Sequence, residues 1–281
     1  RATDLRLIIN PFILRRVKTD SRVIQDLPDK QEIDVYCNLR REQVTLYEAV
    51  VQDMLDKIAI SDGIQRKGLV LSSITKLKQI CNHPALFMGS KSHLKSQSGK
   101  LIRLTQMLDE ILAQGGCILI FTQYVDMGRM LQTYIRRIFR EEVLFLHGGV
   151  LQRDRDAMIQ RFQEPAGPRI FILSLRAGGV GLNLTRANHV FHFDRWWNPA
   201  IEAQATDRAF RIGQKQNVQV YKFICSGTLE ERIDELIEKK KGLADAIIGS
   251  GEAWITEFDD EELKALIELE QDIFAEEEGG L

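Results

Sequence analysis

The sequence predicts an α/β fold in which a parallel sheet is covered by helices on both faces. Five segments carry this reading: CILIFTQ (117–123), VLFLH (143–147), RIFILSL (169–175), HVFHFD (189–194) and VQVYKFI (218–224). They are apolar almost throughout, as strands buried on both faces must be. Helical stretches of about 10–15 residues lie between them, the length a parallel crossover needs. With 281 residues and 44% hydrophobic content, the chain has enough apolar surface for one or two cores.

The elements follow in order. Residues 1–40 read as an extended basic lead-in: PFILRRVKTD, a turn at LPDK, then the alternation EIDVYCNL of a strand. Residues 41–99 form a helical unit with a linker. Leu46, Val50, Met54, Leu55 and Ile58 recur at helical spacing; after the loop SDGIQRKG a second helix carries Leu71, Ile74, Leu77, Lys78 and Ile80. Pro84 stops that helix, and GSKSHLKSQSG (89–99) is a linker by its small, polar composition. Residues 100–226 hold the sheet. Helices are expected at about 100–114, 126–140 and 151–163, the first ending at Gly115-Gly116. From 227 to 281 the chain reads as helices followed by an acidic tail.

Composition removes several classes. Ordinary glycine and charge fractions exclude collagen-like, coiled-coil and disordered chains. The longest strong apolar run, CILIF, falls far short of the ~20 residues of a membrane helix. The N-terminus lacks a hydrophobic signal core, so an intracellular location is expected. Four scattered cysteines without a C-x-x-C pair point to reduced, buried thiols and to no metal site. His189 and His192, three apart on a strand, face opposite ways and make no ligand pair. Net charge is −2, but residues 257–281 hold eleven acids and one lysine, or −10, leaving +8 on residues 1–256. A mildly basic body allows a polyanion partner. The tail reads either as a solvated helix with a frayed end or as a mimic of DNA against the basic face.

Three glycine or arginine motifs were weighed. Gly99-Lys100 looks like the end of a Walker A loop, but Leu101 stands where magnesium needs Ser or Thr, and no strand precedes it. AGGVGLN (177–183) follows a strand, with Asp194 at the end of the next, but only about eight residues separate Gly181 from that strand, too few for a crossover helix. Its glycines suit a loop that approaches a phosphate or ribose closely. In QATDRAFRIGQ (204–214), a helix would place Gln204, Arg208 and Arg211 on one face at i, i+4 and i+7. Two guanidinium groups so placed form an anion site; equally, they are surface arginines paired with Glu202 or Asp207.

ILIFTQY (118–124), SLRAGGVGLNLT (174–185), VFHFDRWWNP (190–199) and QATDRAFRIGQ (204–214) resemble, in order, the second-lobe motifs of helicase superfamily two. W-N-P ahead of Q-A-x-D-R-x-x-R-I-G-Q is similar to the Swi/Snf-type DNA-dependent ATPases, and the wording is nearest to prokaryotic members. PFILRRVKTD, LPDK, LKQICNHPALF and SGKL fit the same family in the same order, so the resemblance spans about residues 10–256.

The resemblance implies a RecA-like second lobe, a helical protrusion before it and brace helices after it. The first lobe of this family carries Walker A and the catalytic acid, and neither motif occurs in this sequence. Arg208 and Arg211 match the arginine fingers. Gln204, Gly181 and Asn183 match positions near ATP, whose Mg2+ is held mainly by the first lobe. Thr122, Gln123 and Ser174 match donors to DNA phosphates, and Trp197 a tryptophan near the tracked strand; Trp196 and Trp197 are otherwise packing at the sheet edge. The implied partners are double-stranded DNA and the N-terminal RecA-like lobe, with no membrane. The implied location is cytoplasm or nucleoid in a prokaryote and nucleus in a eukaryote. The expected function is the second lobe of a chromatin-remodelling-type DNA translocase, inactive in ATP hydrolysis when isolated. The alternative is a non-hydrolysing DNA- or protein-binding platform.

Overall fold

The computed structural model describes residues 28–89, 98–174, 182–239 and 253–270. Six strands form one sheet: β1 (Lys30–Cys37), β2 (Ile118–Thr122), β3 (Val143–Leu146), β4 (Ile170–Ser174), β5 (His189–His192) and β6 (Val218–Cys225). Their spatial order is β1-β6-β5-β2-β4-β3 and every pairing is parallel. All five residues of β2 are buried, as are all five of β4, which matches the uninterrupted apolar runs that predicted a doubly covered sheet.

Alternation divides the strands between two cores. Ile118, Ile120, Ile170 and Ile172 face one side, where α4 (Gly99–Ala113) and α5 (Val125–Phe139) supply Leu104, Leu108, Leu131 and Ile135. Leu119, Phe121, Phe171 and Leu173 face the other, against Phe162 of α6 (Gln152–Gln163) and against Ala205 of α7 (Pro199–Thr206), with Ala209 and Phe210 just beyond it. His189 stacks on Tyr221 in the first layer and His192 on Phe121 in the second, so the two histidines do face opposite ways.

A third core lies outside the sheet. Helices α1 (Arg41–Ile58), α2 (Gly63–Asn82) and the short α3 (Pro84–Met88) form the protrusion, with Tyr47, Met54, Ile74 and Leu77 fully buried. The same cluster takes in Leu229 and Ile233 of α8 (Leu229–Lys239), Ile255 of a 3-10 turn (Ala253–Glu257), and Leu263 and Ile267 of α9 (Asp260–Ile267). The chain after the sheet therefore packs on the protrusion. Arg66 donates to the Phe258 carbonyl and to Asp260, and Lys67 pairs with Glu257. Glu257 and Asp260, at the start of the acidic stretch, thus lie against the protrusion's own basic residues; the tail beyond 270 lies outside the described residues.

Three boundaries differ from the sequence reading. The strand at 30–37, placed in the lead-in, is the edge of the sheet, in register with β6 from Lys30↔Val218 to Cys37↔Cys225. One face of it is exposed, which is why it read differently from the five apolar segments; β3, at the opposite edge of the sheet, is buried throughout. The loop SDGIQRKG is mostly helix, because α2 already begins at Gly63 and Arg66 donates its backbone N–H to the Asp62 carbonyl. Helix α4 begins at Gly99, capped by the Ser98 hydroxyl, which accepts from the Leu101 N–H. Most of the linker and of the lead-in lies outside the described residues.

Candidate functional site

The candidate residues fall into two groups. The first gathers where β2, β4 and β5 end, the edge at which open parallel sheets bind their ligands. Thr122 closes β2 and lies in register with Ser174, which closes β4; both are buried. Asp194, two residues past β5, is fully buried between them and the protrusion. Its Oδ2 accepts from the Thr122 hydroxyl at 2.5 Å and from Asn82 Nδ2 at 3.0 Å, and its Oδ1 from the Gln123 backbone N–H at 2.7 Å. Burial raises the Asp194 carboxyl above its ordinary value, against the opposing effects of the Thr122 bond and the Lys100 charge.

Gln123 is half-buried and its amide is engaged at both ends. Lys78 Nζ donates to Oε1 at 3.2 Å, and Nε2 donates to the Arg195 carbonyl at 2.5 Å. Trp197 is buried in the protrusion core, with Lys78 Nζ 4.1 Å from the centre of its ring. The packing role weighed for this tryptophan is therefore what the fold shows. Among the described residues its indole N–H nonetheless has no acceptor, a state that costs about 1–3 kcal/mol for a buried donor.

Behind Asp194 runs an ion pair that sequence reasoning missed. Lys100, which resembled a Walker A lysine, is wholly buried and donates to Glu230 at 2.8 Å and to Asn82 Oδ1 at 3.1 Å. Burial would lower its pKa, but the Glu230 carboxylate more than offsets this and leaves the ammonium raised. Glu230 begins α8, so this pair joins the sheet's first helix to the brace. Cys81, Cys225 and Glu230 have ligand atoms within 4.8 Å of one another, but the Lys100 ammonium already neutralises that carboxylate. All four cysteines are free and buried. Arg195 is similarly saturated by Glu202 at 2.9 Å and Asp234 at 2.5 Å.

The second group sits on the turn after α7. The expected helix through Arg211 does not form: α7 ends at Thr206, and the bonds Arg208 N–H to Ala205 O and Ala209 N–H to Thr206 O tighten the chain. The Arg208 carbonyl is instead taken by the Leu184 N–H at 2.9 Å. This bond brings the 182–184 segment, with exposed Asn183, against the turn. Arg211 Nη1 reaches the Leu182 carbonyl at 3.5 Å. Arg208 is 8% exposed and its Nε has no partner among the described residues. Among the described residues no carboxylate pairs with its guanidinium; Glu202, one of the two acids that could have done so, is committed to Arg195 and the Trp196 N–H. Burial, then the Arg211 charge, then the Arg155 charge lower the Arg208 pKa, opposed by Asp207 alone. Gln204 is exposed on α7, while Gly181 lies outside the described residues.

A crowded pair of guanidinium groups with an orphaned, desolvated nitrogen fits an arriving anion, and their fork geometry suits phosphate oxygens. His192 anchors the end of α7, from which the turn that carries them leaves: its Nε2 meets the Thr206 hydroxyl at 2.9 Å, and burial, with Arg195 and Lys222 adding, pushes its pKa down to about 3. Among the described residues, no helix is long and apolar enough to cross a membrane.

Comparisons with known proteins agree with one another. Residues 99–213 match the helicase conserved C-terminal domain, and residues 1–86 the SNF2-related domain. The chain is 48% identical over 271 residues to the putative ATP-dependent helicase/translocase YwqA of Bacillus subtilis, covering 96% of this chain and 29% of that protein. It is 37% identical over 257 residues to the human SWI/SNF-related matrix-associated actin-dependent regulator of chromatin subfamily A member 1, covering 88% and 24%. The C-terminal domain of the Sulfolobus solfataricus SWI2/SNF2 ATPase superposes with a TM-score of 0.75 at 45% identity, covering 86% of this chain and all of that one. The SWI2/SNF2 ATPase core of the same organism, in complex with dsDNA, gives 0.79 at 48% identity over 95% of this chain and 56% of that one. The chain thus spans less than a third of the curated relatives it matches.

Proposed function

The chain belongs to the SWI2/SNF2 family of superfamily-two ATPases and is its C-terminal RecA-like lobe, and from that premise we propose that it works as half of an ATP-driven translocase on double-stranded DNA. The observation that carries the proposal is Arg208, whose Nε has no partner among the described residues and which is partly desolvated beside Arg211. Both groups reach across a cleft to the triphosphate of an ATP held, with Mg2+, by an N-terminal lobe. ATP supplies the transferable phosphoryl group. Arg208 and Arg211 stabilise the charge that develops on it, an effect worth roughly 10³–10⁵ in rate. Asn183 and Gln204, both exposed beside the turn, contact the nucleotide, and Gly181 is carried in the same role by its motif.

The strand ends form the DNA side. Gln123 and Ser174 donate to phosphate oxygens, contacts that carry no sequence information and so permit movement along any duplex. Thr122 joins them only by releasing Asp194, because a hydroxyl has one proton to give. Trp197 backs this surface rather than stacking on it. The isolated lobe binds DNA but does not turn over ATP.

The test is ATP hydrolysis, with and without duplex DNA, in a protein that has a Walker A lobe preceding this one. DNA-stimulated turnover that collapses in Arg208→Ala and Arg211→Ala supports the motor. Turnover indifferent to both changes reduces the turn to surface charge, and DNA binding without any turnover favours the platform.

A further inference from the structure

Asp194 is a wholly buried carboxylate at the DNA side of the lobe for which the motor reading has no use. We propose that it is a positioning residue for the Gln123 amide, fixing the end of β2 so that this amide meets a DNA phosphate. The inference rests on the reading of Gln123 as a phosphate contact.

Its two oxygens collect donors from two different parts of the fold. The Thr122 hydroxyl and Gln123 backbone N–H come from the end of β2, and Asn82 Nδ2 from the last residue of the protrusion helix α2. With Thr122 fully buried and its proton on Asp194, that side chain pins the chain and presents nothing to a ligand. The Gln123 backbone is pinned in the same way. What remains is the Gln123 side chain, whose Oε1 faces the Lys78 ammonium while one amide proton goes to the Arg195 carbonyl. An amide nitrogen has two protons, so a second is available, and the Lys78 contact fixes which end of the amide is nitrogen. A donor held in one direction loses little entropy on binding. Asn82 also accepts from Lys100, which pairs with Glu230 on α8, so the loop keeps its place only while protrusion and brace stay docked.

Charge alone predicts the opposite behaviour. Replacing a buried carboxylate beside a polyanion site with a neutral group removes repulsion and tightens binding. In Asp194→Asn the shape is kept, but the new amide nitrogen faces either the Gln123 backbone N–H, at the Oδ1 position, or both the Thr122 hydroxyl and Asn82 Nδ2, at the Oδ2 position, all of which now donate. At least one donor loses its acceptor and the loop loosens.

The experiment is fluorescence anisotropy of a labelled DNA duplex titrated with the full chain, with melting temperature followed in parallel. Wild type, Gln123→Ala, Asp194→Asn and the double variant are compared. Asp194→Asn should weaken Kd about fivefold, the scale of one hydrogen bond. The double variant should bind no worse than Gln123→Ala, since the two act through one contact. The slope of log K against log salt should not change, because the contact is a neutral donor. Weaker binding by Gln123→Ala, together with unchanged or tighter binding by Asp194→Asn, overturns the inference. Unchanged binding by Gln123→Ala overturns the phosphate reading of that residue, and the inference falls with it. Where Asp194→Asn does not fold, Asn82→Ala replaces it, with about a twofold weakening expected from the loss of one of three donors; unchanged binding there overturns the inference as well.

Discussion

The end of β2 and the turn after α7 both concentrate charge in little space, and they handle it in opposite ways. Asp194, Lys100 and Glu230 are wholly buried, and each is met by a partner of opposite charge or by convergent hydrogen bonds. Arg208 and Arg211 lie beside each other, and Arg208 keeps a buried nitrogen with no acceptor among the described residues. A buried charge must be paired or it costs several kcal/mol. The saturated cluster has its counter-charges inside the fold, and its task is to join protrusion, sheet and brace. The unsaturated one has no anion to close it among the described residues. Burial of charge is therefore a poor guide to function by itself; what separates the two regions is whether the pairing closes.

The sharpest way to break this comparison is to remove the unpaired side. In a protein with both lobes, Arg208→Ala or Arg211→Ala should lower DNA-stimulated ATP turnover by ~100-fold or more. The melting temperature of the same variants should hold or rise, since a crowded cation is lost. A matching fall in stability would show that the arginines are structural and erase the contrast.

The saturated side should respond in stability. Lys100→Met leaves Glu230 buried and uncompensated, and urea unfolding should show a loss of about 3–5 kcal/mol. A loss below ~1 kcal/mol would mean that water reaches this pair, and the cluster would no longer be a closed network.

Acid should sharpen the difference further. His192 has a folded pKa of about 3 against an ordinary 6.5, so it stays neutral in the fold and takes up a proton on unfolding. Its neutral, buried state is therefore fully stable above about pH 6.5, and stability is lost as pH falls from there toward 3, by ~1.4 kcal/mol per pH unit. Glu32, held down to about 2 by Lys222 and Lys30 against the effect of burial, loses its contribution in the same direction below its ordinary 4.5. In His192→Phe the acid limb of stability against pH should flatten by one proton; an unchanged slope would show that His192 titrates normally.

The smallest effect is expected from anion binding alone. Inorganic tripolyphosphate at several times its Kd should stabilise the wild type by about 1 kcal/mol, and Arg208→Ala should abolish the gain. Equal stabilisation of both would place the anion elsewhere.

Much of the fold was legible because a strand buried on both faces has to be apolar at every position. Val143–Leu146 and Ile170–Ser174 could hardly read otherwise. The strand at 30–37 was legible as a strand but not as part of this sheet, because exposure on one face gives an alternation that does not say which sheet it joins. The arginine pair was legible as a pair. Its geometry was not, since Leu184 takes the Arg208 carbonyl from a position 24 residues earlier and ends the helix. Leu101 and the lack of a preceding strand exclude Lys100 as a phosphate ligand, but its true role was not legible, because its partner Glu230 lies 130 residues away.

The sequence by itself determined the parallel sheet, the helical protrusion and the family, all of which rest on local periodicity and ordered motifs. Tertiary structure alone decided which charges are satisfied. Hydrogen bonds and ion pairs fall off within a few ångströms, and the chain brings Asn82, Lys100, Thr122, Asp194 and Glu230 within that range only by folding. The same folding leaves the Arg208 Nε without an acceptor among the described residues.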